Sequence, residues 1–219
     1  MHEASMRLME AALERFVVED ADREVTVLDV GSYDLNGSYR EMITKRGWWY
    51  TGLDIQPGPN VDVYTENPYH YPIKTGQWDI VISGSVAYAV LDLVSWTKEI
   101  ARVLRPGGLL VVITPSLAKP ATTASPADLW RMTDDALRLL FENTGILGDI
   151  QVEVSHHDVC ASAIRLRGEI DEPKTSPVYD EPEPDTIGDT SNGGTAGGAG
   201  AVRVARPRPA AKKKTGAKR

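Results

Sequence analysis

TVLDVGSYDLNGSY, residues 26–39, decides the fold. Thr26–Val30 is a short apolar run closed by Gly31, which is how a buried strand ending in a tight turn reads. Gly37 then opens a segment over 37–47 with helical spacing that stops at Gly47. The same alternation continues in both directions. Met6, Met9, Leu13, Phe16 and Val17 lie at helical spacing in 3–19. WYTGLDI (49–55), VDVY (61–64), WDIVIS (78–83) and LLVVITP (109–115) read as strands. DLVSWTKEIARVLR (92–105) reads as an amphipathic helix stopped by Pro106-Gly107-Gly108. Thr133 is placed to cap a further helix that closes at Gly145. Residues 149–155 and 159–167 form a terminal pair of strands. Strands alternating with helices give an α/β, doubly wound, mostly parallel sheet. VLDV, DIVIS and LLVVI are nearly continuous apolar runs, as strands covered on both faces must be. Ligands of such sheets bind beyond the carboxyl ends of the strands, so function belongs after the first, second and fourth.

The 219 residues suffice for one domain and a tail. With 42% hydrophobic and 25% charged residues, a wholly disordered or fibrous chain is excluded. One Cys excludes a disulfide framework and a Cys-rich zinc module, and Cys160 reads as a small core residue. No metal-ligand spacing is present. No apolar run approaches the ~20 residues of a membrane helix, and the N-terminus lacks a signal-peptide core. The expectation is a soluble, cytoplasmic protein with no membrane contact. Three regions follow: an N-terminal helix (1–23), a folded domain (24–168) and a disordered tail (169–219). The net charge of −7 conceals the tail's polarity. Residues 169–202 hold eight acids and one base, whereas 203–219 hold eight bases and no acid. That basic end suits weak, salt-sensitive contact with polyanions or nucleic acid, or simply solubilises the chain.

Gly31 leaves its strand where a ligand must approach the backbone closely. Asp29 can orient that loop or accept from a ligand ammonium. Asp54 ends the second strand 23 residues after Gly31, the placement from which a carboxylate reaches both hydroxyls of a ribose. The loop reads G-S-Y-D-L-N-G, not G-x-G-x-x-G, and Asp34 would repel a pyrophosphate. An adenosyl ligand without phosphate suits it better. S-adenosylmethionine, a sulfonium cation, is therefore favoured over a nicotinamide dinucleotide.

The motifs resemble those of class I S-adenosylmethionine-dependent methyltransferases of the small, type-11-like kind. VLDVGSYDLNGSYR resembles the first motif, YTGLDI the second, WDIVIS the fourth-strand motif and EIARVLRPGGLLVVITPS the one after it. PADLWRMTDDALRLLFENTG resembles the segment after the fifth strand. The resemblance spans roughly 24–168. It implies a Rossmann-like seven-stranded sheet whose last strand is antiparallel. It also implies that Gly31 and Ser32 line the methionine part of the cofactor, with Asn36 and Gly37 closing the loop beneath. Asp54 would bind ribose and Ile55 would pack on adenine. Glu66 and Asn67 fall where the family often has an acid for the adenine amino group. Ser83 and Gly84 would flank the transfer position.

The chain departs from the family at two places. Where many relatives read Glu-His after the fourth strand, it has Tyr88-Ala89. Where some read His-Arg-Tyr-Pro, it has Thr123-Ala124-Ser125-Pro126. Two histidines that could act as a base are thus missing, which disfavours transfer to an alcohol but not to an already nucleophilic group. No catalytic residue is assigned. His70, in an aromatic loop, together with Tyr88, Asp128, Trp130 and Arg131, are candidates for the substrate wall. The structural alternatives are that Trp130 packs under the next helix and Arg131 pairs with an acid. His156 and His157 are expected in the last turn, solvated and far from the sheet's carboxyl ends. The expected function is methyl transfer to an unidentified acceptor. The alternatives are an inactive cofactor-binding module on the same fold and a nucleic-acid-associated accessory protein using its basic end.

Overall fold

The computed structural model describes residues 3–16, 23–35, 37–119 and 128–167. Asn36, Thr123–Pro126 and the tail from 169 lie outside the described residues. The elements in chain order are α1 (Glu3–Leu13), β1 (Thr26–Val30), α2 (Arg40–Lys45), β2 (Trp49–Asp54), β3 (Val63–Tyr64) and β4 (Trp78–Gly84). A 3-10 turn (Ala87–Ala89) follows, then α3 (Leu93–Val103), β5 (Leu104–Pro115), α4 (Asp134–Glu142), β6 (Leu147–Val154) and β7 (Asp158–Arg165). The sheet runs β3-β2-β1-β4-β5-β7-β6, with β7 antiparallel to both neighbours and the remaining pairs parallel. This is the expected seven-stranded α/β architecture. The chain reverses its direction of travel along the sheet between β3 and β4, so β1 and β4 adjoin at the switch point.

The pleat sorts each central strand into two cores. Val27, Ile80, Ile82, Leu109, Val111 and Ile113 pack on one face with Met9, Leu13 and Ile43 from α1 and α2. Leu28, Val30, Val81, Leu110 and Val112 pack on the other with Trp96, Ile100, Leu137 and Phe141 from α3 and α4. The period of two along the strands is what sends consecutive residues to opposite layers. Asp92 caps α3 by accepting from the Ser95 amide at 3.0 Å, and Thr133 Oγ1 caps α4 through the Ala136 amide at 3.0 Å. Cys160 is buried, as expected, and burial pushes its thiol up to about 12.

Several placements differ from the sequence expectation. Helix α2 begins only at Arg40, because Gly37 sits at φ +114° and keeps the preceding loop non-helical. Strand β3 shrinks to two residues, because Asp62 is drawn aside to accept the Gly52 amide at 2.8 Å and Arg40 at 2.6 Å. Strand β5 starts at Leu104 and not at Leu109, with Arg105–Gly108 bulging out between the Trp78–Leu104 and Ile80–Leu109 pairs. The last hairpin's turn lies at the carboxyl edge of the parallel strands, not far from it. Only β7 is reversed, so β6 delivers its end beside the end of β5. There the Ser116 amide donates to the His157 carbonyl at 2.9 Å and the Ser116 hydroxyl to the His156 carbonyl at 3.1 Å. Both imidazoles are exposed, as expected.

The opposite edge is pinned by Asp79, whose side chain is buried. It accepts from the Thr26 amide (2.9 Å) and hydroxyl (2.8 Å) and pairs with Arg23 and Arg105. Burial alone would raise its carboxyl; the hydrogen bonds from Thr26 and Arg105 outweigh that and hold it below the ordinary Asp range. Asp79→Ala is expected to destabilise the protein by about 2–4 kcal/mol in urea titration, since Arg105 and Thr26 lose a shared acceptor. A loss below 0.5 kcal/mol would contradict this role.

Candidate functional site

At the switch point a cavity of about 620 Å³ opens over the ends of β1, β2 and β4. That size falls within the range of small-ligand sites. Gly31 makes it possible. Its φ is +81°, and a Cβ there would come within 2.0 Å of Val86 Cγ2. The residue must therefore be glycine on two counts, backbone conformation and space. The amides of Gly31 and Ser32 both donate to the Leu53 carbonyl, at 2.8 and 3.1 Å, which ties the loop to the end of β2.

Asp54 faces the same cavity. One of its carboxylate oxygens accepts the Tyr33 amide at 2.9 Å and the other the Gln56 amide at 3.0 Å. Each oxygen keeps lone-pair capacity for another donor. Ile55 follows it into the cavity wall and is 49% exposed, a bare apolar surface of the kind a flat base covers. Asp34, expected to repel phosphate, accepts the Gly37 amide at 2.6 Å within its own loop.

Asp29 lies at the floor, 3% exposed, and its Oδ2 accepts the Tyr50 hydroxyl at 2.6 Å. Asn60 continues the network, donating from Nδ2 to the Tyr50 hydroxyl (2.7 Å) and to the Ser32 carbonyl (2.8 Å). Arg40 holds the Asn60 side-chain oxygen at 2.5 Å and lies 4.3 Å over the Tyr50 ring. Sequence reasoning missed Tyr50, Asn60 and Arg40. Asn60 at φ +68° was the available signal, an Asn in the Gly58-Pro59-Asn60 turn. Burial raises the Asp29 carboxyl to about 7; Tyr50's hydrogen bond and Arg40 oppose that rise, and Asp54 adds to it.

The far wall is formed by the 3-10 turn and the segment after β5. The amides of Leu129 and Trp130 both donate to the Tyr88 carbonyl, at 2.9 and 3.0 Å. Arg131 grips Asp128 with two nitrogens, one contact being 2.6 Å. Tyr88, Asp128 and Arg131 line the cavity with Lys119 and Ser5. Burial and the Asp128 charge raise the Tyr88 hydroxyl above its ordinary value, against the pull of Arg131. Ser85, between β4 and the turn, holds φ +58°, a conformation costly for a residue with a Cβ.

The structure brings together Asp29, Gly31, Ser32, Gly37, Asp54, Ile55, Gly84, Tyr88 and Arg131 at one cavity. Five expected residues are not in its wall. Ser83 is fully buried inside β4, where its hydroxyl donates to the Val30 carbonyl at 2.8 Å and joins two strands. Glu66 and Asn67 are exposed outside it, Asn67 Oδ1 being used within its own loop on the Tyr69 amide at 2.8 Å; Pro68 is what reaches the wall. His70 is exposed in the same loop. Trp130 does not line the cavity: its indole Nε1 donates to the Val90 carbonyl at 2.8 Å and the residue is 43% exposed. Arg131 does pair with an acid, as its structural alternative required. Among the described residues no group of acids, His or Cys is arranged to hold a metal, and no helix is long and apolar enough to cross a membrane.

Residues 28–112 match the family described as Methyltransferase domain. No curated protein matches the chain. Solved structures of similar fold include a SAM-dependent methyltransferase from Aquifex aeolicus, 20% identical over 75% of this chain and 94% of that one, with a TM-score of 0.56. Another, from Archaeoglobus fulgidus, is 14% identical over 74% and 93%, with a TM-score of 0.58. Phosphoethanolamine N-methyltransferase 2 of Haemonchus contortus, in complex with S-adenosyl-L-methionine, is 15% identical over 74% of this chain and 52% of its own, with a TM-score of 0.55.

Two measurements check the cavity's chemistry. Gly31→Ala should stay folded in circular dichroism yet lose at least tenfold in affinity for S-adenosylhomocysteine; unchanged affinity would mean the loop does not shape the site. The second is a pH test. A carboxyl that takes up its proton near pH 7 when folded and near 4 when unfolded gives stability that is lost as pH rises from about 4 to 7. Asp29→Asn should flatten that fall, by on the order of 2–4 kcal/mol between pH 5 and pH 8 in urea titrations. An equal fall in both proteins would refute the displaced titration.

Proposed function

We propose that the chain is a class I, type-11-like methyltransferase that holds S-adenosylmethionine at the Gly31–Asp54 cleft and methylates an acceptor bound against the Tyr88–Arg131 wall, a reading supported by the match of residues 28–112 to the methyltransferase-domain family. The observation that carries this reading is the meeting of Asp54 with the left-handed turn at Gly31 in one cavity. The donor set fits the group. Asp54 presents two carboxylate oxygens for paired hydroxyls, and Ile55 presents an apolar face for the base. Asp29, buried beside the glycine turn, is an acceptor for an ammonium. Asp29 and Asp54 have no ion-pair partner among the described residues, so a cation is welcome where a pyrophosphate is not. When bound, the cofactor supplies an electrophilic methyl on a positively charged sulfur.

The chain's own contribution is positioning. Gly84 and Ser85 bring backbone to the cavity at the end of β4, and the Tyr88 carbonyl fixes the segment that faces them. Holding two reactants in line supplies much of the rate when the acceptor is already nucleophilic. Calorimetry tests the cofactor role. The wild-type chain should bind S-adenosylhomocysteine, and Asp54→Ala should weaken binding by at least 30-fold, about 2 kcal/mol for two charge-assisted hydrogen bonds. Equal affinity in the variant would remove Asp54 from the site.

A further inference from the structure

The methionine end of the proposed cofactor carries an ammonium and a carboxylate on one carbon, so two unlike partners must stand close together. Asp29 is the acceptor for the ammonium. The carboxylate needs donors, and the backbone amides of a glycine loop are the usual ones. Here the described amides of the loop after β1 are largely occupied within the protein. Those of Gly31 and Ser32 go to the Leu53 carbonyl, that of Tyr33 to Asp54, that of Asp34 to the Pro59 carbonyl at 3.1 Å and that of Gly37 to Asp34. At the end of β4 the Ser85 amide goes to the Ile113 carbonyl at 2.8 Å. Three hydroxyls are committed as well: Ser5 donates to Asp158 at 2.7 Å, Ser32 to the Asn60 carbonyl at 3.2 Å and Tyr50 to Asp29.

Tyr39 is placed differently. It lines the same cavity as Asp29 and Gly84, and it is 2% exposed. Its ring lies against the main chain at the end of β4: a Cβ on Gly84 would overlap the Tyr39 hydroxyl oxygen and two of its ring carbons. Burial first, and then the charge of Asp29, raise this hydroxyl above its ordinary value, so it keeps its proton and can donate. Among the described residues it has no hydrogen-bond partner. A buried hydroxyl without a partner is unfavourable, and a ligand oxygen that accepts from it relieves that. Two other phenols of the wall are directed elsewhere, Tyr33 packing on Gly58 and Tyr88 lying near Asp128 and Arg131. The cations of the wall have acids of their own: Arg131 is paired with Asp128, and Lys119 Nζ is 3.9 Å from Asp158.

We propose that the Tyr39 hydroxyl donates to the carboxylate of the bound cofactor while Asp29 takes its ammonium, an assignment that rests on the cofactor reading above. The two side chains then recognise an α-amino acid as a zwitterion, in place of the loop amides. Tyr39 is a positioning residue in this scheme. Holding both charged groups of the amino acid restrains the sulfur farther along the same short chain, and with it the direction in which the methyl is presented.

The test titrates the full chain in a calorimeter with S-adenosylhomocysteine and with its decarboxylated analogue S-adenosyl-3-thiopropylamine, which keeps the adenosine, the thioether and the ammonium. Tyr39→Phe removes one oxygen. It should weaken S-adenosylhomocysteine binding roughly tenfold, as for a hydrogen bond to a charged group, and leave the analogue within about twofold of its wild-type affinity. Retained binding of the analogue also shows that the variant is folded. Unchanged affinity for S-adenosylhomocysteine, or an equal loss for both ligands, overturns the assignment. So does a carboxylate-selective loss in Lys119→Gln with none in Tyr39→Phe, which would give the carboxylate to the lysine. If the wild-type chain binds neither ligand, the cofactor reading itself fails, and this assignment with it.

Discussion

The carboxyl edge of the sheet depends on the chain turning left-handed at Gly31, against the side chain of Val86. β1 and β4 are adjacent, and their following loops must part to leave a cavity at the switch point. The residue where they part has no room for a side chain, because Val86 Cγ2 occupies the Cβ position. That contact sets how closely the 3-10 turn approaches the first loop, and the turn in turn carries Tyr88. Through the Tyr88 carbonyl it also positions Leu129 and Trp130. One close packing contact therefore fixes both the proposed cofactor cleft and the opposite wall.

A second constraint acts from beneath. Asp29 is taken out of water at the end of a central strand, where a carboxylate is costly unless bonded. Tyr50 supplies the bond, and Asn60, Ser32 and Arg40 keep Tyr50 in place. The loop after β2 is thereby tied to the loop after β1. Asp62 adds a tie by accepting both the Gly52 amide and Arg40, at the cost of two residues of β3. The buried acid and its supports form one rigid unit under the cavity, and that rigidity suits a site that works by positioning.

The sheet was legible because its central strands are apolar on both faces and its turns are punctuated by Gly31, Gly47 and Pro106-Gly107-Gly108. Gly31 and Asp54 were legible because strand ends are where this topology places ligands. Other assignments depended on distances that a linear pattern does not contain. Ser83 and Gly84 are neighbours, yet the pleat sends the Ser83 hydroxyl into the sheet while Gly84 meets the cavity. Glu66 and Asn67 fall two residues and one residue short of Pro68, which reaches the wall. His156 and His157 were misplaced for a topological reason: the reversal belongs to β7 and not to β6, which brings their turn to the functional edge. Asn60 and Tyr50 carry no motif; only their contacts with Asp29 and Ser32 reveal them.

Among the described residues no histidine lines the cavity, and this bears on the chemistry a transfer there would use. A site that deprotonates an alcohol must bring in a base and then stabilise an anion. Here Asp128 is paired with Arg131, and burial raises the Tyr39 and Tyr88 hydroxyls above their ordinary values. A transfer that starts with the charge on sulfur and ends with it on the acceptor creates no new charge, only moves one over a short distance. Fixed dipoles and charges need little reorganisation as it occurs. The Tyr88-Ala89 pair stands where many class I methyltransferases have Glu-His, so the proposed transfer relies on positioning.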